Sequence, residues 1–300
     1  MSNKTVLFRA DSSSIIGTGH IMRDLVLAQK YAKKGYEVIF ATQDLKGNIN
    51  HKIKEQNFQI IILKSNSKKE LTKLIMKLNI DLLVIDHYEI NYKKEKYIKD
   101  KTDVKILSFD DTYEKHCCDI LYNHNISANK KRYKTLVPKN CELRCGSKYT
   151  LLRDEFTREI NKIYKPNKKF TFFIAMGGAD TANLNIKILK VLKEFKKIKI
   201  NLVTTTSNQN LNKLKKYCKG KKYINLYINS NQIAKLIAMS DYGIITPSVS
   251  ANELIYMKLQ FIAIKTASNQ EDIYNYIEKK NYFVLKKFNS KKLYKYIKRL

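Results

Sequence analysis

The chain of 300 residues has no tryptophan, three prolines, nine glycines and only seven arginines against 51 lysines. It also lacks any long uncharged apolar run, and without roughly 20 such residues no helix spans a membrane. Cysteine is sparse and odd in number: Cys117, Cys118, Cys141, Cys145 and Cys218. No C-x-x-C spacing repeats, so neither a disulfide framework nor a zinc site completed by His116 and His124 is indicated. Reduced, mostly buried thiols are expected, with no metal and no cofactor. Acidic residues are outnumbered, 27 to 58, giving a net charge of +31. Such a charge suits nucleic acid, but the lysines are spread over nearly every expected helix and no recognition-helix, RRM-type or zinc-finger signature occurs. No nucleic-acid partner is therefore expected, although a basic field helps gather a phosphate-bearing substrate.

What is present fits a globular protein of two domains, with 44% hydrophobic residues. Met1-Ser2-Asn3-Lys4 runs straight into a strand pattern, so no signal peptide is expected and the cytoplasm is the expected compartment. A monomer is expected.

The most informative stretch is Phe8-Arg9-Ala10-Asp11-Ser12-Ser13-Ser14-Ile15-Ile16-Gly17-Thr18-Gly19-His20-Ile21-Met22-Arg23. A short apolar strand enters a polar turn bearing glycines. Ile21, Leu25, Ala28 and Ala32 then recur at the period of one buried helix face. Gly35 supplies a left-handed stop, and residues 37–41 resume as a strand. Gly17, Gly19 and His20 thus fall at the carboxyl end of the first strand, the edge at which open parallel sheets bind ligands. Glycines there permit close backbone approach, and a helix N-terminus favours an anion. An imidazole at that position is poorly placed for core packing and well placed to act as a base.

Strands and helices alternate onward. Residues 48–56 read as a helix and Gln59-Ile60-Ile61-Ile62-Leu63 as a fully buried parallel strand. A helix capped by Ser67 buries Leu71, Leu74, Ile75 and Leu78. Further strands end in Asp86-His87-Tyr88 and in Asp110-Asp111, and residues 120–123 read as the last strand of the first half. His20, Asp86-His87-Tyr88, Asp110-Asp111 and Asn123 as a set outline one rim of a cleft, although Asp110 or Asn123 taken singly reads better as a capping or loop residue. Periodicity fades between residues 125 and 146, and residues 160–169, with Pro166 and many lysines, read as a linker. The second half restarts as strand 170–176, turn Gly177-Gly178-Ala179-Asp180 and a helix from Thr181. Without G-x-G-x-x-G no dinucleotide is implied, but such glycine amides can hold a diphosphate. Pro247-Ser248-Val249-Ser250-Ala251-Asn252-Glu253 opens another helix, with Glu253 expected in its first turn and either dipole-stabilised or boxed with Ser250. Ala267-Ser268-Asn269-Gln270 begins a later helix. Two α/β halves, 1–160 and 161–300, with strand-end edges facing across a cleft are expected.

Together, the motif from Arg9 to Arg23, Val84-Ile85-Asp86-His87-Tyr88, Leu152-Arg153-Asp154-Glu155-Phe156, Gly177-Gly178-Ala179-Asp180 and Ser250-Ala251-Asn252-Glu253 resemble the UDP-sugar hydrolases of pseudaminic acid biosynthesis, the PseG family. The second half also resembles MurG-type glycosyltransferases. The resemblance runs over nearly the whole chain and is weakest around residues 125–145; Gln260 stands where proline is expected. It implies a GT-B-like fold of two Rossmann-like doubly wound domains, and action on UDP-2,4-diacetamido-2,4,6-trideoxy-β-L-altropyranose. It implies further that His20 activates water for inverting attack at the anomeric carbon, that Glu253 meets the ribose, and that Gly177 and Gly178 lie near the diphosphate. Arg9, Asp11, Gly17, Gly19, Asp86, His87, Tyr88, Arg153, Ser250, Asn252, Asn269 and Gln270 complete the expected substrate-binding set. Two alternatives stay open: a glycosyltransferase of the same fold using a UDP-sugar donor, and a basic nucleic-acid binder without enzymatic activity.

Overall fold

The computed structural model describes residues 4–165 and 168–300. The chain divides into a first unit ending at Leu151 and a second beginning at Leu152. Pro166, within the expected linker, lies outside the described residues.

The first unit is a parallel sheet of seven strands: β1 (Thr5–Ala10), β2 (Glu37–Thr42), β3 (Gln59–Ile62), β4 (Leu82–Asp86), β5 (Lys105–Phe109), β6 (Ile120–Asn123) and β7 (Glu142–Cys145), in the order β3-β2-β1-β4-β5-β6-β7. Its helices are α1 (Gly19–Ala32), α2 (Asn50–Lys54), α3 (Lys68–Lys77) and α4 (Tyr92–Lys99). Every residue of β1 is buried, because both faces of the sheet are covered. Alternation along the strand sends Val6, Phe8 and Ala10 into one layer with Ile21, Leu25 and Ala28 of α1. Leu7 turns to the opposite layer with Leu83, Ile98 and Ile106. Each isoleucine or leucine so enclosed stabilises the fold by about 1.5–3 kcal/mol.

Several expectations need correction. Ala32 is exposed at the last turn of α1, where the helix has run past the sheet. The stretch at 59–63 is no fully buried strand: β3 is the sheet edge, and Ile62 is 53% exposed. Ser67 sits at the N-cap of α3 without a side-chain capping bond; Glu70 instead reaches back to the amides of Lys64 and Ser65. β6 is not the last strand of its half. β7 follows it, paired from Ile120↔Glu142 to Asn123↔Cys145, and is too short to show a period. Two of the five thiols are buried and three half-buried, all free, and the Sγ atoms of Cys118 and Cys141 are 3.7 Å apart.

A polar cluster is folded into this unit beyond the end of β5. Asp110 accepts the amides of Thr112 and Tyr113 and the Tyr133 hydroxyl, and Asn123 donates to that hydroxyl. Glu95 of α4 accepts from Ser108, from the Cys117 amide and from His116, whose Nδ1 is 2.7 Å away. Burial alone would lower the His116 pKa, but Asp110 and Glu95 raise it from 6.5 to about 9. A histidine raised in this way stabilises fully below about pH 6.5 and ceases to do so as the pH climbs through about 9. His116→Gln should therefore destabilise the protein more at pH 6 than at pH 10, by about 3 kcal/mol. Urea titrations of both proteins at the two pH values check this; an equal deficit at both would show that His116 is not held as a cation.

The second unit is a parallel sheet of six strands: β8 (Phe170–Ala175), β9 (Ile198–Thr204), β10 (Ile224–Ile228), β11 (Tyr242–Ile245), β12 (Phe261–Ile264) and β13 (Phe283–Leu285), in the order β10-β9-β8-β11-β12-β13. Its helices are α5 (Asp154–Glu159), α6 (Asn185–Leu192), α7 (Leu211–Cys218), α8 (Ile233–Ala238), α9 (Val249–Tyr256), α10 (Glu271–Lys279) and α11 (Ser290–Ile297). The division precedes the expected 160/161 boundary because α5 packs on α8: Phe156 is fully buried, and Glu155 accepts the Ala234 amide at 3.2 Å. Helix α6 also starts later than expected. Residues 181–184 form a turn, and the Asp180 carboxylate takes the amides of Leu184 and Asn185. Among the described residues no helix is long and apolar enough to cross a membrane.

Candidate active site

β1 and β4 are neighbours, with Ala10 opposite Asp86, so the chain leaves both strands at the same sheet edge. The Ser13–Gly17 bridge pinches the loop after β1, and Gly17 takes φ +86°, which L side chains rarely adopt. Helix α1 then opens at Gly19, placing His20 on its second residue.

The His20 ring is held against Asp86, with Nδ1 2.6 Å from Oδ1. Asp86 also accepts from Nε and Nη2 of Arg23, one turn further along α1. Burial alone would raise the Asp86 pKa; Arg23 and then His20 outweigh it and hold the carboxyl far below its usual range. An ionised Asp86 accepts only, so Nδ1 carries the proton and donates it. Nε2 is then the basic nitrogen. It takes no partner among the described residues and is not sealed from solvent. The ring is largely buried, but a charge-assisted hydrogen bond fixes it, leaving one nitrogen free. Tyr88 stands edge-on to it at 5.2 Å between centroids and donates its hydroxyl to Asp111 at 2.9 Å. Arg23 lies 3.6 Å from Asp111 and 5.0 Å from the centroid of Phe109. His124 is enclosed nearby, where burial and then Arg23 lower its pKa to about 3.

Arg9 and Asp11 are not where a substrate-contacting pair is expected. Both are fully enclosed, joined by two bonds of 2.7 Å, with further Arg9 bonds to the Ala41 carbonyl and to Asn66. Alternation explains this: Arg9 follows Phe8 on the opposite face of β1 and points beneath the edge. Asp11 accepts from the Gln43 amide at 2.7 Å and lies 3.1 Å from His87 Nε2, so the pair braces His87. Arg23 and Asp24 lie outside the set expected from sequence. Their signal was the spacing of three and four residues from His20, which puts all three side chains on one helix face.

In the second unit Gly177 and Gly178 are exposed after β8. Gly177 takes φ +76°, and a Cβ on Gly178 would stand 2.8 Å from the Thr205 side chain. The turn therefore needs both glycines for its own folding. Glu253 is not in the first turn of α9; the helix opens at Val249, and Ser248 makes no side-chain cap. Nor does Glu253 box with Ser250. Its carboxylate accepts from Arg153 at 3.2 Å, and Arg153 is 2.6 Å from Glu155. Burial raises the Glu253 pKa, against the pull of Arg153. Ser250 is half-buried and Asn252 buried on the same helix. Asn269 is exposed in a short 3₁₀ turn after β12, while the Gln270 side chain folds back to accept the Thr266 amide at 2.8 Å. Among the described residues no group of three or more metal-type ligands gathers.

A UDP-2,4-diacetamido-2,4,6-trideoxy-beta-L-altropyranose hydrolase of Campylobacter jejuni subsp. jejuni is 45% identical over 283 residues, 94% of this chain and 99% of that one. The chain belongs to this hydrolase family. No protein-family profile matches it. MurG of Acinetobacter baumannii, 12% identical, matches with a TM-score of 0.66 over 99% of this chain and 90% of its own. An S. aureus MnaA structure with UDP, 10% identical, gives 0.63 over 100% and 88%. This member of the hydrolase family therefore has the GT-B-like fold of two Rossmann-like α/β units.

Proposed function

We propose that the chain hydrolyses UDP-2,4-diacetamido-2,4,6-trideoxy-β-L-altropyranose to UDP and the free sugar in pseudaminic acid biosynthesis, with His20 as the general base. The observation that carries this is the orientation of His20: Nδ1–H is committed to Asp86, so Nε2 is the nitrogen left to take a proton. A water bonded to Nε2 attacks the anomeric carbon as its bond to the diphosphate oxygen breaks, and the proton passes to His20. UDP leaves as a stable anion, so one base serves where ordinary glycosides need two carboxylates. Attack from the face opposite the leaving group inverts the anomeric centre.

The nucleotide end is assigned to the second unit. Helix α9 opens without a side-chain cap, leaving its first amides for phosphate oxygens, whereas α6 already has Asp180 on its amides. Glu253, steadied by Arg153, accepts the ribose hydroxyls. Glu253→Gln is expected to weaken UDP binding about tenfold, the scale of one hydrogen bond to a charged group, with kcat nearly unchanged. Calorimetric titration with UDP checks this, and unaltered affinity would remove the ribose contact. The reading as a whole is tested by incubating protein with the UDP-sugar and following products by NMR. Release of UDP and free sugar with inverted configuration supports it. Turnover only on addition of an acceptor alcohol would make the chain a glycosyltransferase.

A further inference from the structure

Asp24 is the one carboxyl of the His20 helix that the mechanism leaves unused. It follows Arg23 on α1, is fully enclosed, and neither oxygen has a hydrogen-bond donor among the described residues. An enclosed carboxylate without donors is strongly disfavoured. The group within its reach is another acceptor, Asp86. Arg23 spends its Nε and Nη2 on Asp86 and turns Nη1 toward Asp111. Two carboxyls enclosed side by side cannot both ionise, and a proton between them satisfies both.

We propose that Asp24 is carried as a neutral carboxylic acid that donates its proton to Asp86, making it a positioning residue that holds the Asp86 carboxylate toward His20. The groups facing this pair are His20 and Arg23 on α1, Asp111 after β5, His124 after β6 and Tyr88 after β4. Among them Arg23 alone is a fixed cation. It balances Asp86 and, at longer range, the partly exposed Asp111, and leaves no charge to match a second enclosed carboxylate. Burial, and then the negative charge of Asp86, push the Asp24 pKa well above its usual value despite Arg23. The donated hydrogen bond also occupies a lone pair of Asp86 that neither His20 nor Arg23 uses, which restricts rotation of the carboxylate.

The effect on turnover rests on the hydrolase reading; the protonation state does not. It is read by NMR on protein labelled with ¹³Cγ-aspartate, the Asp24 signal being assigned by its loss in Asp24→Asn. A signal at the protonated position throughout about pH 5 to 8 is expected, and one at the ionised position near neutrality would overturn the proposal. In kinetics, Asp24→Asn keeps a neutral donor and should stay within about twofold of the parent in kcat, with the acid limb of its kcat/KM profile in place. Asp24→Leu removes the donor and should lower kcat about tenfold or more at unchanged KM. Equal losses in both variants would overturn the positioning role. The labelled parent protein, assigned with Asp24→Asn, gives its answer even if Asp24→Leu fails to fold or the substrate proves to be another one.

Discussion

His20→Ala is expected to lower kcat for UDP-sugar hydrolysis by about 10²–10⁴-fold, the usual contribution of a positioned general base. The affinity for UDP should stay within about twofold, because the nucleotide is assigned to side chains and amides of the second unit. The fold should survive as well. Removing the imidazole takes one partner from Asp86, which keeps Arg23 on both oxygens, so no enclosed charge is left unpaired. Single-turnover rates, with UDP titrated calorimetrically, separate the chemical step from binding. Partial recovery of rate with added imidazole would place the lost function at the ring itself. A variant turning over at nearly the parent rate would remove His20 as the base and leave the Asp86 contact a structural one.

The pattern of the sheets was open to sequence reading because burial on both faces writes itself into the letters. Runs such as Val6-Leu7-Phe8 and Leu82-Leu83-Val84-Ile85 fit only the inside of a parallel sheet, and polar residues just beyond them mark its carboxyl edge. The place of His20 at that edge was legible for the same reason. What did not show was direction at single positions. Arg9 and Asp11 look like a charged pair at a ligand edge, yet alternation along β1 turns Arg9 under the sheet, and a bidentate bond satisfies both groups there. Glu253 and Ser250 have the spacing of a capping box, but it forms only if Ser250 is the N-cap, and the helix begins two residues earlier. Strand β7 was missed because four residues with one buried position carry no period. The two glycines after β8 also answer to the fold itself. Gly177 meets a left-handed turn and Gly178 a close approach to Thr205, so their presence would be required even without a phosphate nearby.

Asp86→Asn is the sharper test of how the site is built, since the side chain keeps its shape and loses only its charge and one acceptor. In the parent, one carboxylate accepts from His20 Nδ1 and twice from Arg23. An amide offers a single carbonyl. If Arg23 takes it, the NH₂ group faces His20 and donates to Nδ1, which then must be unprotonated. The ring proton moves to Nε2, and the nitrogen that should accept a proton from water carries one already. The expected loss in kcat is therefore about 10²–10⁴-fold, comparable with His20→Ala. The double variant should be little worse than either single one, because both remove the same base. Stability should fall by about 3–5 kcal/mol, since Arg23 would lose its charged partner Asp86 and keep only the weaker pull of Asp111, at 3.6 Å, and of Asp24. The pH dependence of that deficit follows from the direction of the Asp86 shift. A carboxyl held below its unfolded pKa stabilises above about pH 4, and its contribution fades as the pH falls toward the folded value. Denaturation of parent and variant should thus differ most near neutrality and converge in acid. A variant that keeps its turnover would mean that the imidazole finds its working tautomer without the carboxylate, and a deficit unchanged in acid would mean that Asp86 is not the ionised partner of Arg23.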